Sequence, residues 1–171
     1  LFNESKAFSF GKTNLNSSSI FAEKRRMSSL RKFLTEKGYH RIKLTTTATN
    51  HLELVAEING IEGNFILDTG ASSSCVGQDV VEHFKLFAED SDVRAAGAGA
   101  TNMLTQVSTK NRIEIKDWKK KKIDLVVFDL SHVNQALTEH DAEKVHGIIG
   151  ADILKKGKAV IDYKSNYLFL K

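Results

Sequence analysis

The chain has 171 residues, of which 41% are hydrophobic and 27% charged. That composition suits one soluble globular domain with an extension, and the longest apolar run, Ile123 to Leu130, is interrupted by Asp124 and Asp129, so no segment reaches membrane-spanning length. The net charge of +4 is unevenly placed: residues 1–43 hold ten Lys/Arg against three Asp/Glu, a balance of +7, and the other fifteen basic and eighteen acidic residues give −3.

Residues 1–26 contain Ser17-Ser18-Ser19 and scattered Asn and Phe, without an apolar period. Three explanations stay open: sequence upstream of the natural start, a processed targeting segment, or a disordered arm. The basic, Ser-rich, acid-poor character suits a transit peptide, whereas the compact apolar core of a secretory signal is missing. Met27 is the expected natural start, and a cytoplasmic location is expected for the protein. A basic arm attracts nucleic acid or anionic lipid, but no nucleic-acid motif accompanies it, and neither a nucleic-acid nor a membrane partner is expected. Ser28 to Lys37 places Leu30, Phe33 and Leu34 on one helical face with Gly38 as a stop. This short helix ends an N-terminal extension over residues 1–40, and residues 41–171 form the main domain.

From Arg41 the apolar period changes to two. Ile42 and Leu44, then Leu52, Leu54, Ala56 and Ile58, alternate with polar neighbours as half-buried strands do. Asn59-Gly60 and Gly63-Asn64 punctuate a hairpin that leads into Phe65-Ile66-Leu67. There the apolar run ends in Asp68-Thr69-Gly70-Ala71-Ser72, an acid presented where the backbone leaves a buried strand. Thr69 can hydrogen-bond locally and Gly70 admits a close backbone neighbour. Cys75, the one cysteine, rules out an intrachain disulfide and reads as a small half-buried hydrophobe.

Gln78 to Leu86 fits a short helix through Val80, Val81 and Phe84. In Val93 to Thr101 six of nine residues are Ala or Gly, a segment that packs little and bends easily. Strands are expected over Met103–Ser108, Arg112–Ile115 and Ile123–Phe128, with Lys119 to Lys122 as a solvated hairpin tip after Trp118. Residues 130–145 are polar and helix-compatible. They and their surroundings hold His132, His140 and His146 with Glu139, Asp141 and Glu143, but no His-x-x-x-His or Cys/His cluster occurs, so no metal is expected. Gly147-Ile148-Ile149-Gly150-Ala151-Asp152-Ile153-Leu154 then sets two β-branched residues and a glycine before a helical segment, and Ala159–Tyr163 and Tyr167–Leu170 read as closing strands.

The Asp68-Thr69-Gly70-Ala71-Ser72 segment resembles the active-site signature of retropepsin-like aspartic proteases, and Gly147 to Leu154 resembles their hydrophobic-hydrophobic-glycine element. Two ordered motifs and a matching tail cover residues 49–171, far more specific than either alone. The resemblance implies an all-β, retropepsin-like acid protease barrel, one lobe per chain, with short helices. In that family the apolar strand passes behind the catalytic loop and its glycine permits the crossing. The chemistry needs two carboxylates sharing one proton, and two-lobed pepsins carry both in one chain. Here no Asp other than Asp68 is followed by Thr-Gly or Ser-Gly. The second acid is therefore expected from a second copy, on the two-fold axis of a homodimer.

By the same resemblance Asp68, Thr69 and Gly70 are the expected catalytic signature. Thr69 ties the two loops together. Ala71 and Ser72 are expected to touch a peptide or protein substrate, with Ala96, Gly97, Ala98 and Gly99 at the tip of a glycine-rich hairpin flap over it. No cofactor is implied. Pepsins usually carry a hydroxyl residue at the position of Ala71, so the acid limb here is expected at higher pH. Residues 130–146 look like an insertion relative to compact retroviral enzymes. The rival reading is a catalytically silent dimerisation or peptide-binding module on the same fold, and a third is a chance Asp-Thr-Gly turn in an unrelated β-rich domain.

Overall fold

The computed structural model describes residues 30–97 and 100–171. The chain divides into two units, one through Lys37 and one from Gly38 onward. In the first, residues 30–36 form helix α1, on which Lys32 and Glu36 approach to 3.9 Å one turn apart; Ser28 and Ser29 of the expected helix lie outside the described residues.

The second unit is built from eleven strands, β1 (His40–Lys43), β2 (Thr45–Thr46), β3 (Leu52–Ile58), β4 (Ile61–Leu67), β5 (Cys75–Gly77), β6 (Ala88–Gly97), β7 (Ala100–Ile115), β8 (Trp118–Phe128), β9 (Gly147–Ile149), β10 (Val160–Asp162) and β11 (Tyr167–Leu170), with helices α2 (Ser131–Glu139) and α3 (Ala151–Lys156). The large sheet runs β2-β3-β4-β9-β5-β8-β7-β6, and β7 also pairs with β3. That extra pairing, Glu57 opposite Glu114 and Ile58 opposite Ile113, closes six of the strands into a barrel. Alternation of inward apolar residues fills it: Leu54, Ala56 and Ile58 from β3, Phe65 from β4, Ile113 and Ile115 from β7, Ile123, Leu125 and Val127 from β8 and Ile149 from β9 are all buried. A separate sheet, β1-β11-β10, lays Ile42, Leu168 and Leu170 against the same core.

The β3–β4 turn uses Asn59 and Gly60 with φ of 53° and 84°, the paired left-handed conformation that Asn-Gly supplies in a two-residue hairpin. The Asn59 side chain also accepts the Arg112 N–H at 3.0 Å and donates to the Phe84 carbonyl at 3.1 Å, tying the hairpin to β7 and to the turn after β5.

Four local expectations change. Gly63 and Asn64 lie inside β4, opposite Ala56 and Val55, because Asn59-Gly60 alone suffices for the turn. Gln78–Val80 is a single turn of 3₁₀-helix, followed by irregular turns rather than a regular helix; Lys85, at a φ of 52°, is left-handed, which stops propagation. The strands expected at Met103 and Arg112 are one long strand, β7, with a register irregularity between Ser108 and Arg112. The lysine run is within β8, opposite Glu114, Ile113 and Arg112, and the hairpin tip is Lys116-Asp117. Lys119 reaches Glu114 at 2.5 Å and Arg112 reaches it at 3.1 Å, so a cross-strand carboxylate draws the run into the sheet. Its hydrogen bond to Lys119 holds the Glu114 carboxyl below the usual range. Among the described residues no helix is long and apolar enough to cross a membrane.

Candidate active site

The loop from Asp68 to Ser74 joins β4 to β5, and β9 runs between those two strands. It is parallel to β4, with Phe65 opposite Gly147 and Leu67 opposite Ile149, and antiparallel to β5, with Cys75 opposite Ile148. The Asp68 N–H donates to the Ile149 carbonyl at 3.0 Å, which fixes where the chain leaves the sheet. The crossing is too close for side chains. A Cβ on Gly147 would meet the Cys75 carbonyl oxygen, and one on Gly150 would lie 2.8 Å from the Ala71 oxygen and 2.9 Å from that of Ser73. Both glycines face backbone that cannot swing away.

Asp68 is half-exposed, and its Oδ1 accepts the Gly70 N–H at 2.8 Å. Thr69, Gly70 and Ser72 are exposed and Ala71 is half-buried. The Ala71 carbonyl accepts the Ala151 N–H at 2.8 Å, pinning the loop to the start of α3. A second pin is deeper. Ser74 is fully buried; its hydroxyl donates to Asp152 Oδ1 at 2.7 Å and accepts the Gly150 N–H at 2.8 Å, while its own N–H donates to the same Asp152 oxygen at 2.9 Å. Asp152 stands within the segment noted in sequence, but its task was not legible there. The available signal was its place just after Gly150, where a carboxylate in the first turn of α3 faces loop backbone. Cys75, next along, is buried, and that burial pushes its thiol up to about 12, which makes it inert as a nucleophile at neutral pH.

The residues expected at the flap tip fall where β6 pairs with β7, with Ala95 opposite Met103 and Gly97 opposite Ala100. Ala96 and Gly97 end β6, whereas Ala98 and Gly99 lie outside the described residues. Among the described residues no group of three or more His, Cys, Asp or Glu side chains is arranged to hold a metal. His146 is already engaged, with Nδ1 accepting the Asn64 N–H at 3.0 Å and its ring stacked on His83 at 5.5 Å. The Asp68–Ser74 loop therefore offers one accessible carboxylate, that of Asp68, and is held from below at three points. A single carboxyl takes or gives one proton and cannot both activate water and protonate a carbonyl in the same step.

Comparison with known proteins bears on this geometry. A family profile described as aspartyl protease matches residues 54–153, more than half of the chain. No curated protein matches. Among solved structures, a retropepsin-like aspartic protease from Rickettsia conorii is similar with a TM-score of 0.54 at 18% identity, over 77% of this chain and 89% of that one. The EIAV protease complexed with the inhibitor HBY-793 is similar with a TM-score of 0.50 at 21% identity, over 66% of this chain and 92% of the other. The retroviral protease-like domain of Ddi1 from Leishmania major gives 0.50 at 17% identity, over 71% and 88%.

Proposed function

This chain belongs to the aspartyl protease family with a retropepsin-like, single-lobe fold, and on that premise we propose that it is an aspartic endopeptidase working as a homodimer. Asp68 of each copy meets its mate across a two-fold axis and the pair holds one water. One carboxylate takes a proton from the water as its oxygen attacks the peptide carbonyl, and the protonated carboxyl gives its proton to the carbonyl oxygen. The tetrahedral diol then collapses, with a proton passing to the leaving amine, and no covalent enzyme intermediate forms. Two carboxyls at hydrogen-bonding distance do not both ionise readily, so the dyad titrates as a pair.

The observation that carries this reading is the accessible Asp68 carboxyl at the end of β4, its Oδ1 steadied by the Gly70 N–H at 2.8 Å, in a chain with one Asp-Thr-Gly. Thr69, exposed beside it, ties the two loops together. Ala71 and Ser72, with Ala96, Gly97, Ala98 and Gly99, bind the substrate backbone, the β6–β7 hairpin adding as a strand does to a sheet edge.

Cleavage of a peptide library across pH by wild type and Asp68→Asn, with pepstatin as control, tests the proposal. The expected result is loss of cleavage by about three orders of magnitude or more in a variant that still dimerises. Cleavage unchanged in Asp68→Asn refutes the dyad, and a wild-type dimer that binds peptides without cutting them supports the silent module instead. Ala71→Ser adds a hydroxyl donor beside the carboxylates and should move the acid limb of the profile to lower pH.

A further inference from the structure

The β3–β4 turn carries chemistry that the candidate site does not use. Asn59-Gly60 is the chain's one Asn-Gly pair. An asparagine followed by glycine is open to attack by its own main chain, because no Cβ on the next residue shields the backbone nitrogen. In the fold the Asn59 amide is held on both sides. Its Oδ1 accepts the Arg112 N–H at 3.0 Å, and Nδ2 donates to the Phe84 carbonyl at 3.1 Å and to Asn111 Oδ1 at 2.9 Å. Both hydrogens of the amide are thereby engaged. Asn111 is itself buried and donates to the Ser108 carbonyl and hydroxyl at 2.9 and 3.1 Å, which fixes the side it turns to Asn59. One amide therefore joins the β3–β4 turn, the turn at Phe84 and the register irregularity of β7.

We propose that Asn59 is a site of spontaneous deamidation that the closed barrel blocks, and that its conversion in an opened chain keeps that chain from refolding. The Gly60 nitrogen attacks Asn59 Cγ, and a C–N bond forms as the Cγ–Nδ2 bond breaks. The Gly60 proton passes through water to Nδ2, which departs as ammonia. Water then opens the cyclic imide, its oxygen bonding to one carbonyl carbon and a proton returning to the nitrogen, to leave aspartate or isoaspartate. Attack makes Cγ tetrahedral and expels Nδ2, so it requires loss of the three hydrogen bonds of the amide. In the folded state the reaction waits on local opening of the turn, and its rate follows the population of the open form. The product does not fit the place it came from. Aspartate sets a carboxylate oxygen against two acceptors, the Phe84 carbonyl and Asn111 Oδ1, where Nδ2 had donated to both. Turning the Asn111 amide over would supply one donor but press its own oxygen against the Ser108 carbonyl. Isoaspartate lengthens the main chain of a two-residue turn whose register sets Ile58 opposite Ile61. β4 runs from this turn to Leu67, immediately before Asp68, so a chain that cannot close the turn does not place the acid.

Peptide mass spectrometry of the full chain, held at mildly alkaline pH with and without urea, decides this. Conversion of the Asn59 amide to an acid is expected about a hundredfold faster in urea, because three hydrogen bonds must open first in the folded state. On dilution from urea the unmodified chain should regain a cooperative unfolding transition and the modified chain should not. Asn59→Asp, which installs the product directly, should shift the unfolding equilibrium about a hundredfold toward the unfolded chain or fail to fold at all. Gly60→Ala, compared with wild type in urea so that folding does not enter, should slow conversion about tenfold by shielding the nitrogen. Comparable rates with and without urea overturn the protection by the fold. A modified chain or an Asn59→Asp variant as stable as wild type overturns the block to refolding, and an unchanged rate in Gly60→Ala overturns attack by the Gly60 nitrogen.

Discussion

Ser74→Ala removes one oxygen from beneath the candidate active site, and its cost can be worked from the contacts that oxygen makes. The hydroxyl donates to Asp152 Oδ1 at 2.7 Å and accepts the Gly150 N–H at 2.8 Å, in a position with no exposure to water. Losing a hydrogen bond to a charged group costs about 1.5–3 kcal/mol, and the Gly150 N–H left buried without an acceptor adds about 1–3 kcal/mol. Alanine retains the Ser74 N–H bond to Asp152, so the expected total lies toward the lower sums, about 3–4 kcal/mol. For a domain of this size that lowers Tm by roughly 10–15 °C. Urea unfolding of Ser74→Ala, Asp152→Ala and the double variant gives the coupling directly, expected at about 2 kcal/mol because the pair shares contacts. Additive losses, or a Ser74→Ala cost below about 1 kcal/mol, would refute the view that this pair anchors the loop.

Gly150→Ala tests the same loop from the strand side. Its new methyl meets the backbone of Ala71 and Ser73 within 2.9 Å, so about 1–3 kcal/mol of overpacking is expected, with peptide cleavage falling further than stability accounts for, read as kcat at a temperature where the variant is folded. Cys75, raised from its ordinary 9.0 to about 12 by burial, should resist alkylation at pH 8 until the chain unfolds. Because the folded value is the higher one, the stabilisation that goes with it is fully present below about pH 9 and fades above that at about 1.4 kcal/mol per pH unit; unfolding followed by urea against pH measures the slope, and Cys75→Ser abolishes it. Glu53 is raised first by burial and then by Glu143, against an opposing pull from His51, and its Oε1 is shielded without a hydrogen-bond partner. Ionising it therefore costs stability as pH rises past the ordinary carboxylate range. Glu53→Gln should raise stability at neutral pH by about 0.5 kcal/mol, a figure kept small because the carboxyl is only partly buried, and the gain should vanish below pH 4 in thermal melts.

What could be read from residues alone followed from local rules. Alternation in Leu52–Ile58 and the apolar run Phe65–Leu67 each name a strand without reference to anything distant. Gly147 to Leu154 was legible as a strand, a glycine and a short helix, and β9, Gly150 and α3 follow that order. The errors came where a distant partner decides. Nothing adjacent to Lys119 says that Glu114 sits across the strand and draws it into the sheet. Gln78 to Leu86 has a helical apolar spacing, yet the Phe84 side chain is taken by the barrel core and the backbone turns to deliver it. At the site, Asp68 stood out because its neighbours form a motif, whereas Ser74 and Asp152 lie 78 positions apart and acquire a role only when β9 passes between β4 and β5.

The polar stretch at residues 130–146 shows the same dependence on contacts that sequence spacing hides. As a sequence it is a polar, helix-compatible stretch. In the fold one face of α2 is buried: Leu137 and Val145 pack with Ile66 of β4 in a small core outside the barrel, with Val133 and Ile148 at its edge. Asn134 is the device that makes this specific. Its side chain accepts the Val145 N–H at 2.8 Å and donates to the Val145 carbonyl at 3.1 Å, satisfying both backbone groups of a buried residue that no strand partner reaches. From Val145 the restraint passes along the chain. The His146 N–H donates to Asn64 at 2.8 Å and its carbonyl accepts from Gly77 at 2.9 Å, so the residue bridges β4 and β5 before β9 begins. Three residues later the Ile149 carbonyl receives the Asp68 N–H. An unbroken run of backbone and amide bonds thus connects α2 and Val145 to the acid, and α2 belongs to the support of the candidate site.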